Sequence, residues 1–230
     1  MTQLCFESFF RSGLRSRLRF YVGYSFGGRE VEGWTHGVVC TPRWVRAAMR
    51  ETRLSVVLDN GAFPAWRDGI DLSYDDQISS MLDALHIITP ARVLWVILPD
   101  VVGDAVETRR RSEQALADLD VSPSVCLAPY QEGADAEEFA AWVRARGIGG
   151  AFIGGATKEW KRLACSQLVD RVPWVHVARI SADHELHWAA YLGADSFDST
   201  TPTRGFTHHQ TAGRERDWAA SFSRYCEAAR

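Results

Sequence analysis

The sequence predicts an α/β fold, a TIM-like (β/α) barrel that takes in residues 1–230 as one domain. Short apolar segments alternate with helical patterns, and the links between them are short, as in a parallel α/β fold. Residues 54–58 are almost uniformly apolar, which is typical of a parallel strand covered on both faces. About seven strands can be counted, so a barrel with one irregular or missing strand fits better than an open sheet.

The predicted strands end at polar residues or glycines. They cover residues 19–24, 54–58, 93–98, 124–128, 151–153, 175–178 and the segment that leads to Asp198. Predicted helices are opened by Thr41 and Pro42, lie at 74–87, 106–119, 158–170 and 184–192, run from the cap Asp135 to Gly147, and finish the chain at 214–228.

The net charge and the arginine content indicate what kind of partner the protein can bind. A formal net charge of −3 argues against a general polyanion-binding surface but leaves room for a local basic groove. The positive charges are almost all arginines, with lysine only at 158 and 161. Arginine suits phosphate binding, although genome composition explains such a bias equally well.

Cysteine usage and hydropathy predict the compartment. The five cysteines are scattered, with no Cys-x-x-Cys and no histidine at ligand spacing, so we expect no disulfide and no structural zinc. No apolar run is long enough to cross a membrane, and the N-terminus lacks the apolar core of a signal peptide. We therefore expect a cytoplasmic protein that binds no membrane, metal or cofactor.

Chemically useful residues follow the predicted strands. In a barrel the carboxyl ends of all strands meet at one rim, where active sites lie. Each residue alone could serve a turn or a helix cap, but their equivalent positions favour a shared site. The set is Asp59, Asp100, Gln131, Gly154, Gly155, Arg179 and Asp198.

Two chemistries suit three carboxylates at one rim. A divalent metal site is one, but such sites usually recruit histidine, and His176 lies inside a strand, where we expect a core residue. The other is glycosidic chemistry, in which one carboxylate attacks the anomeric carbon and another handles the proton. An amide side chain beside paired glycines also suits a planar nucleobase.

The order of these motifs resembles the tRNA-guanine transglycosylase superfamily over roughly residues 54–206. Residues 59–63 look like its Asp-Ser-Gly-Gly-Phe segment, and Gln131 with Gly133 resembles its Gln-Gly segment. Residues 153–155 match its Ile-Gly-Gly, and residues 195–204 resemble its Asp-x-Phe-Asp…Pro-Thr-Arg element.

The resemblance implies roles for individual residues. Asp198 would be the nucleophile and Asp59 a general acid/base. Asp100 and Gln131 would recognise the base, with backbone contacts from Gly154 and Gly155. Arg204 would lie near the substrate backbone, and we expect Arg204 and Arg179 to bind phosphates, with pairing to Asp195 as the alternative role of Arg204.

The sequence also departs from that family. It lacks the cysteine cluster and histidine of the family's zinc element, and Ala62 and Pro64 stand where the family has Gly and Gln. Little sequence follows the nucleophile segment, so we expect no added RNA-binding module. The sequence therefore resembles the compact DNA-acting relatives, the 7-deazaguanine DNA-modification branch, better than the tRNA enzymes. Residues 100–104 and 154–160 also resemble that branch.

The expected function is cleavage of a base–sugar bond in DNA through an aspartate nucleophile. We favour excision of a modified base that leaves an abasic site, as in defence against phages with modified DNA. Exchange of guanine for a 7-deazaguanine is the main alternative. Base exchange in tRNA, metal-dependent hydrolysis and an inactive barrel that binds nucleic acid are further alternatives. His208 and His209 are interpreted as an ordinary surface loop.

Overall fold

The computed structural model describes residues 18–24, 35–155 and 157–200, and in these residues eight parallel strands close into a barrel in the order of the sequence. The predicted helix at 214–228 and Arg204 lie outside the described residues. The strands are β1 (Arg19–Gly23), β2 (Gly37–Cys40), β3 (Val56–Leu58), β4 (Val93–Ile97), β5 (Cys126–Tyr130), β6 (Gly150–Ile153), β7 (Val175–Val177) and β8 (Ser196–Ser199).

From β2 to β8, helices connect successive strands, as predicted for a (β/α) barrel. They are α1 (Val45–Glu51), α2 (Ala62–Arg67), α3 (Tyr74–Ile87), α4 (Ala105–Asp118), α5 (Ala136–Ala145), α6 (Lys158–Leu168) and α7 (Asp183–Leu192). Short 3-10 turns at Pro42–Trp44, Pro90–Arg92 and Pro123–Val125 precede α1, β4 and β5. No helix in the described part of the chain is long and apolar enough to cross a membrane.

The predicted barrel is confirmed, but the count of seven strands is one short. The strand that the sequence analysis missed is β2, whose four residues are all buried. The other strands are marked by their alternation with helical patterns, whereas the sequence of residues 25–36, before β2, is rich in glycine and polar residues and shows no helical pattern. The ring is complete because β1 pairs with β8, with Tyr21 opposite Asp198.

The residues before two of the helices were predicted as N-terminal caps. Asp135 caps α5 as predicted, since its Oδ1 accepts hydrogen bonds from the backbone N–H groups of Glu137 and Glu138, both at 2.9 Å. Thr41 precedes its helix as predicted, but its side chain makes no cap hydrogen bond, and a 3-10 turn separates it from α1.

Alternate strand residues face different layers. On β1, Phe20 and Val22 pack in the large core that the strands share with the helices, whereas Tyr21 belongs to the small cluster inside the barrel. Paired residues of neighbouring strands point to the same side, so Asp198, which lies opposite Tyr21, also faces the interior. The same rule turns Phe152, His176 and Ser196 inwards, because they are in register across β6, β7 and β8.

Candidate active site

The predicted site residues all lie at the carboxyl-end rim of the barrel or just inside it, except Arg204, which lies outside the described residues. Their mutual electrostatic influence supports this convergence: the charge of Asp198 raises the pKa of Asp59, and both carboxylates act on Arg179. The residues and their strands are Asp59 after β3, Asp100 after β4, Gln131 after β5, Gly154 and Gly155 after β6, Arg179 after β7 and Asp198 on β8.

Asp198 is held by a histidine. Its side chain is buried, with 5% of the residue exposed, and its Oδ2 lies 3.0 Å from Nε2 of His176. His176 is fully buried on β7. The core location predicted for this histidine is correct, whereas its contact with the candidate nucleophile was not predicted.

The second ring nitrogen of His176, Nδ1, also makes a polar contact. His176 Nδ1 lies 2.9 Å from Oγ of Ser196, and that oxygen accepts a hydrogen bond from the indole Nε1 of Trp174 at 2.8 Å. The ring itself stacks on Phe152, with centroids 5.4 Å apart and an angle of 7° between the planes, and on Tyr21 at 5.8 Å. The orientation of His176 is therefore constrained on both faces and at both nitrogens.

Asp100 is bound by two amide side chains. Asn60 Nδ2 donates to Oδ1 at 2.8 Å, and Gln131 Nε2 donates to Oδ2 at 2.5 Å. Burial raises the pKa of Asp100 to about 7, with the charge of Asp59 adding to the rise and the two amide donors opposing it. A carboxyl group with this pKa exchanges its proton near neutral pH.

A further set of hydrogen bonds fixes the loop that carries Asp100. Gln77 of α3 donates to the backbone oxygen of Asp100 at 3.1 Å and accepts from Arg111 at 2.9 Å. The side-chain oxygen of Gln131 accepts from the backbone N–H of Gly103 at 3.2 Å. These contacts give the carboxyl group a defined direction, as a binding site requires.

Asp59 is half-buried, and one of its carboxylate oxygens accepts a hydrogen bond within the turn that follows β3. Its Oδ1 accepts the backbone N–H of Gly61 at 2.7 Å, where the glycine has a φ of 81°. The ordinary turn role that the sequence allowed is therefore present. Shielding from water nevertheless raises the pKa of Asp59, and the nearby charge of Asp198 raises it further.

Arg179 points into the site rather than away from it. Its guanidinium lies 3.5 Å from the ring centroid of Phe63 and donates to the backbone oxygen of Gly155. Burial lowers the pKa of Arg179, while the carboxylates of Asp198, Asp59 and Asp100 act in the opposite direction. Its binding to phosphate stays a prediction, and the geometry assigns it at least the task of balancing these carboxylates.

Lys161 supports the segment that carries Arg179. This lysine of α6 is 5% exposed, and its Nζ donates to the backbone oxygens of Ala178 at 2.8 Å and Arg179 at 3.3 Å. Burial and the charge of Arg179 lower the pKa of Lys161 to about 8. The next residue, Ile180, donates its backbone N–H to the backbone oxygen of Asp198 at 2.8 Å, so the segment after β7 is attached to β8.

The two glycines differ in what they require. Gly155 has a φ of 72°, and a Cβ there would lie 2.1 Å from Cδ1 of Trp160, so local packing alone demands glycine. A Cβ on Gly154 would meet only Phe152, at 3.6 Å. Packing therefore does not account for Gly154, and its predicted backbone contact with a base stays a prediction.

Several residues that contact the predicted site were not predicted from the sequence, among them His176, Asn60 and Lys161, and of these only His176 left a usable signal. His176 is the polar residue between Val175 and Val177, which predicts that it faces the opposite side from its apolar neighbours. Asn60 and Lys161 left none, because their partners lie far away in the sequence.

Metal chemistry was an alternative for the same carboxylates. Among residues 18–24, 35–155 and 157–200, no group of three or more histidine, cysteine, aspartate or glutamate side chains could hold a metal ion. The described cysteines, Cys40, Cys126 and Cys165, are free and buried. A metal-free reaction stays a prediction.

The fold and the site define a TIM-like α/β barrel with a buried cluster of carboxyl groups at its carboxyl-end rim. No protein-family model matches the chain, and no curated protein matches it. The motif resemblance to base transglycosylases therefore stays a prediction.

Proposed function

We propose that this protein is an enzyme that cleaves the N-glycosidic bond between a modified base and its sugar in DNA, and that water completes the reaction. The observation that carries the proposal is the pairing of a buried, histidine-bound carboxylate, Asp198, with two nearby carboxyl groups of raised pKa, Asp59 and Asp100. A carboxyl group of raised pKa beside a second carboxyl group that can attack the sugar is typical of glycosidic acid–base chemistry.

Asp198 suits the role of nucleophile. Its Oδ2 is bound to His176, and no described residue donates a hydrogen bond to Oδ1. In the first step Oδ1 forms a bond to C1′ of a flipped-out nucleotide, the C1′–N bond breaks, and its electron pair leaves with the base.

Asp59 suits the role of general acid and base. Its raised pKa favours the protonated form, and its Oδ2 accepts no hydrogen bond from the described residues. It gives its proton to the departing base and then, as a carboxylate, takes a proton from water. The water oxygen bonds to C1′ as the C1′–oxygen bond to Asp198 breaks, which leaves a free base, an abasic site and the regenerated carboxylate.

Asp100 suits base binding better than proton transfer in this scheme. Both of its oxygens already accept hydrogen bonds from amide groups, of Asn60 and Gln131. Asn60 uses both of its N–H groups on Leu98 and Asp100, so it positions the carboxyl group. Each oxygen of Asp100 keeps a lone pair and Gln131 Nε2 keeps one N–H, and such a fixed set of acceptors and a donor suits the edge of a nucleobase.

Exposed arginines support nucleic acid as the substrate. Arg43, Arg46 and Arg50 are spaced three and four residues apart, so they share one face of the segment that ends in α1. None of them makes an ion pair with another described residue, whereas exposed arginines such as Arg146 and Arg171 do. Exposed guanidinium groups on one face that form no ion pair with a described carboxylate suit a phosphate backbone, although Arg43 also packs on the ring of Trp44.

Base exchange is the second candidate. The fixed polar cluster around Asp100 could hold an incoming base as well as a leaving one, and that base would attack C1′ in place of water. Both candidates share the covalent intermediate on Asp198 and differ only in what attacks it.

The deciding experiment is mass spectrometry of free bases and nucleosides after incubation with DNAs that carry different modified bases, with unmodified DNA and tRNA alongside. A labelled 7-deazaguanine base is included. Released base without incorporation supports excision, and incorporated label supports exchange. Neither outcome on any substrate, or equal release by the Asp198→Asn variant, would contradict the proposal.

A further inference from the structure

We infer that a hydrogen-bonded chain inside the barrel orients the carboxylate of Asp198 for attack. The chain runs from Trp174 through Ser196 to His176, and it fixes the proton of the neutral imidazole on Nε2. This inference rests on the proposed role of Asp198 as the nucleophile. It assigns His176, Ser196 and Trp174 as positioning residues, since only His176 touches the reacting carboxylate.

The direction of the chain follows from its first member. The indole N–H of Trp174 can only donate, so Oγ of Ser196 accepts at 2.8 Å. The hydroxyl hydrogen of Ser196 then needs an acceptor, and within the described residues its remaining partner is Nδ1 of His176 at 2.9 Å. Nδ1 therefore carries a lone pair, and the ring proton lies on Nε2, from which it is donated to Asp198 Oδ2 at 3.0 Å.

The other protonation states satisfy fewer groups. With the proton on Nδ1, a lone pair of Nε2 would face the carboxylate, and the hydroxyl hydrogen of Ser196 would have no acceptor. A doubly protonated ring would also donate to Ser196 and leave that hydrogen unsatisfied. Ser196 and His176 are both fully buried, so water cannot compensate, and an unsatisfied buried polar group costs about 1–3 kcal/mol.

The chain has a consequence for Asp198. A neutral donor at Oδ2 stabilises the carboxylate and fixes its plane, and Oδ1 remains for the sugar carbon. The stacked rings of Phe152 and Tyr21 prevent the imidazole from turning away. A nucleophile held in one direction reacts without the cost of being ordered during the reaction.

The test begins with nuclear magnetic resonance of the intact, ¹⁵N-labelled protein. Two-bond proton–nitrogen spectra distinguish a protonated ring nitrogen from an unprotonated one, and loss of one pattern in His176→Gln assigns the residue among seven histidines. We expect the neutral form with the proton on Nε2. Ser196→Ala and Trp174→Phe should weaken that preference. A proton on Nδ1 alone, or a doubly protonated ring at neutral pH, would overturn the inference.

Turnover then separates positioning from mere packing. We expect Ser196→Ala to lower kcat by at least about tenfold with little change in KM, as for residues that orient a reacting group from one contact away. His176→Gln, which keeps an N–H near the position of Nε2, should retain more activity than His176→Phe, which fills the same space without a donor. Variants are compared only where their melting curves show a cooperative fold.

Different results would overturn the positioning role of His176 and Ser196 and the proposed reaction. A wild-type kcat in Ser196→Ala, or equal activity of the Gln and Phe variants at position 176, would overturn the positioning role and leave the reaction standing. A wild-type protein that releases or exchanges no base would overturn the proposed function. The spectra would then still decide the proton position on His176.

Discussion

His176 and Asp198 lie on neighbouring strands, and their Nε2 and Oδ2 atoms are 3.0 Å apart inside the barrel. The distance in sequence is 22 residues, so the contact exists only because β7 and β8 run side by side. It gives the side chain of Asp198 a buried partner on the next strand, which distinguishes it from an aspartate that only closes a turn.

Asp198→Asn should abolish turnover, because it removes the nucleophile at nearly constant volume. The melting temperature should change little, since an asparagine oxygen can still accept from His176. Base release is measured by mass spectrometry and stability by circular dichroism. Asp71→Asn, at an exposed position, is the matched control and should behave as wild type. Near-normal turnover of Asp198→Asn would remove the nucleophile assignment.

The free energy of unfolding should fall as the pH rises from about 4 to about 7. The folded pKa of Asp100 is raised to about 7, so the folded state binds this proton more tightly than the unfolded chain, and the advantage is lost as pH rises through the folded pKa. Asp59 acts in the same direction. Urea unfolding at several pH values across this range measures how far the free energy of unfolding falls. Asp100→Asn should make that fall smaller by on the order of 2–4 kcal/mol. An unchanged slope would show that Asp100 ionises normally.

Lys161→Met should destabilise the protein by about 1–3 kcal/mol at neutral pH, because the backbone oxygens of Ala178 and Arg179 lose their donor. Lys158→Met is the matched control. Its ammonium is half exposed and pairs with Glu185 at 3.3 Å, so we expect a loss below about 1 kcal/mol. Equal losses in denaturant titrations would contradict a supporting role for Lys161.

Replacing Arg43, Arg46 and Arg50 together by Gln should weaken DNA binding equally for all sequences and lower the salt slope by about 2–3 units. Replacing Arg110, Arg144 and Arg162 by Gln removes the same charge from other exposed positions and should leave the slope near wild type. Fluorescence anisotropy at several salt concentrations provides both slopes. If both triple variants reduce the slope alike, binding depends on net charge rather than on this face.

Gly155→Ala should destabilise the protein by about 1–3 kcal/mol or more, because of its positive φ and the approach of Trp160. Gly154→Ala should leave the melting temperature nearly unchanged, since its new Cβ meets one atom at an ordinary distance. A selective loss of base binding in Gly154→Ala would support backbone contact with the base, and unchanged binding would argue against it.

Much of the architecture could be predicted from local pattern. Helix α3 was predicted at its observed bounds, Tyr74–Ile87, because its apolar spacing is a signal within one segment. The rim position of Asp59, Asp100 and Gln131 followed from their place after strands, since a parallel barrel brings strand ends together. Strand β2 was missed because the sequence before it shows no helical pattern to mark a strand–helix–strand unit.

The sequence by itself determined the alternation of strands and helices, and with it the rim at which the polar residues meet. Only the tertiary structure decided which of them touch. Asn60 meets Asp100 from 40 residues away, and Lys161 reaches the end of β7 from the outer helix layer. His176 contacts Asp198 because the register of β7 against β8 turns both side chains inwards. Such contacts depend on strand register and barrel closure, which are properties of the packed chain and not of any one segment.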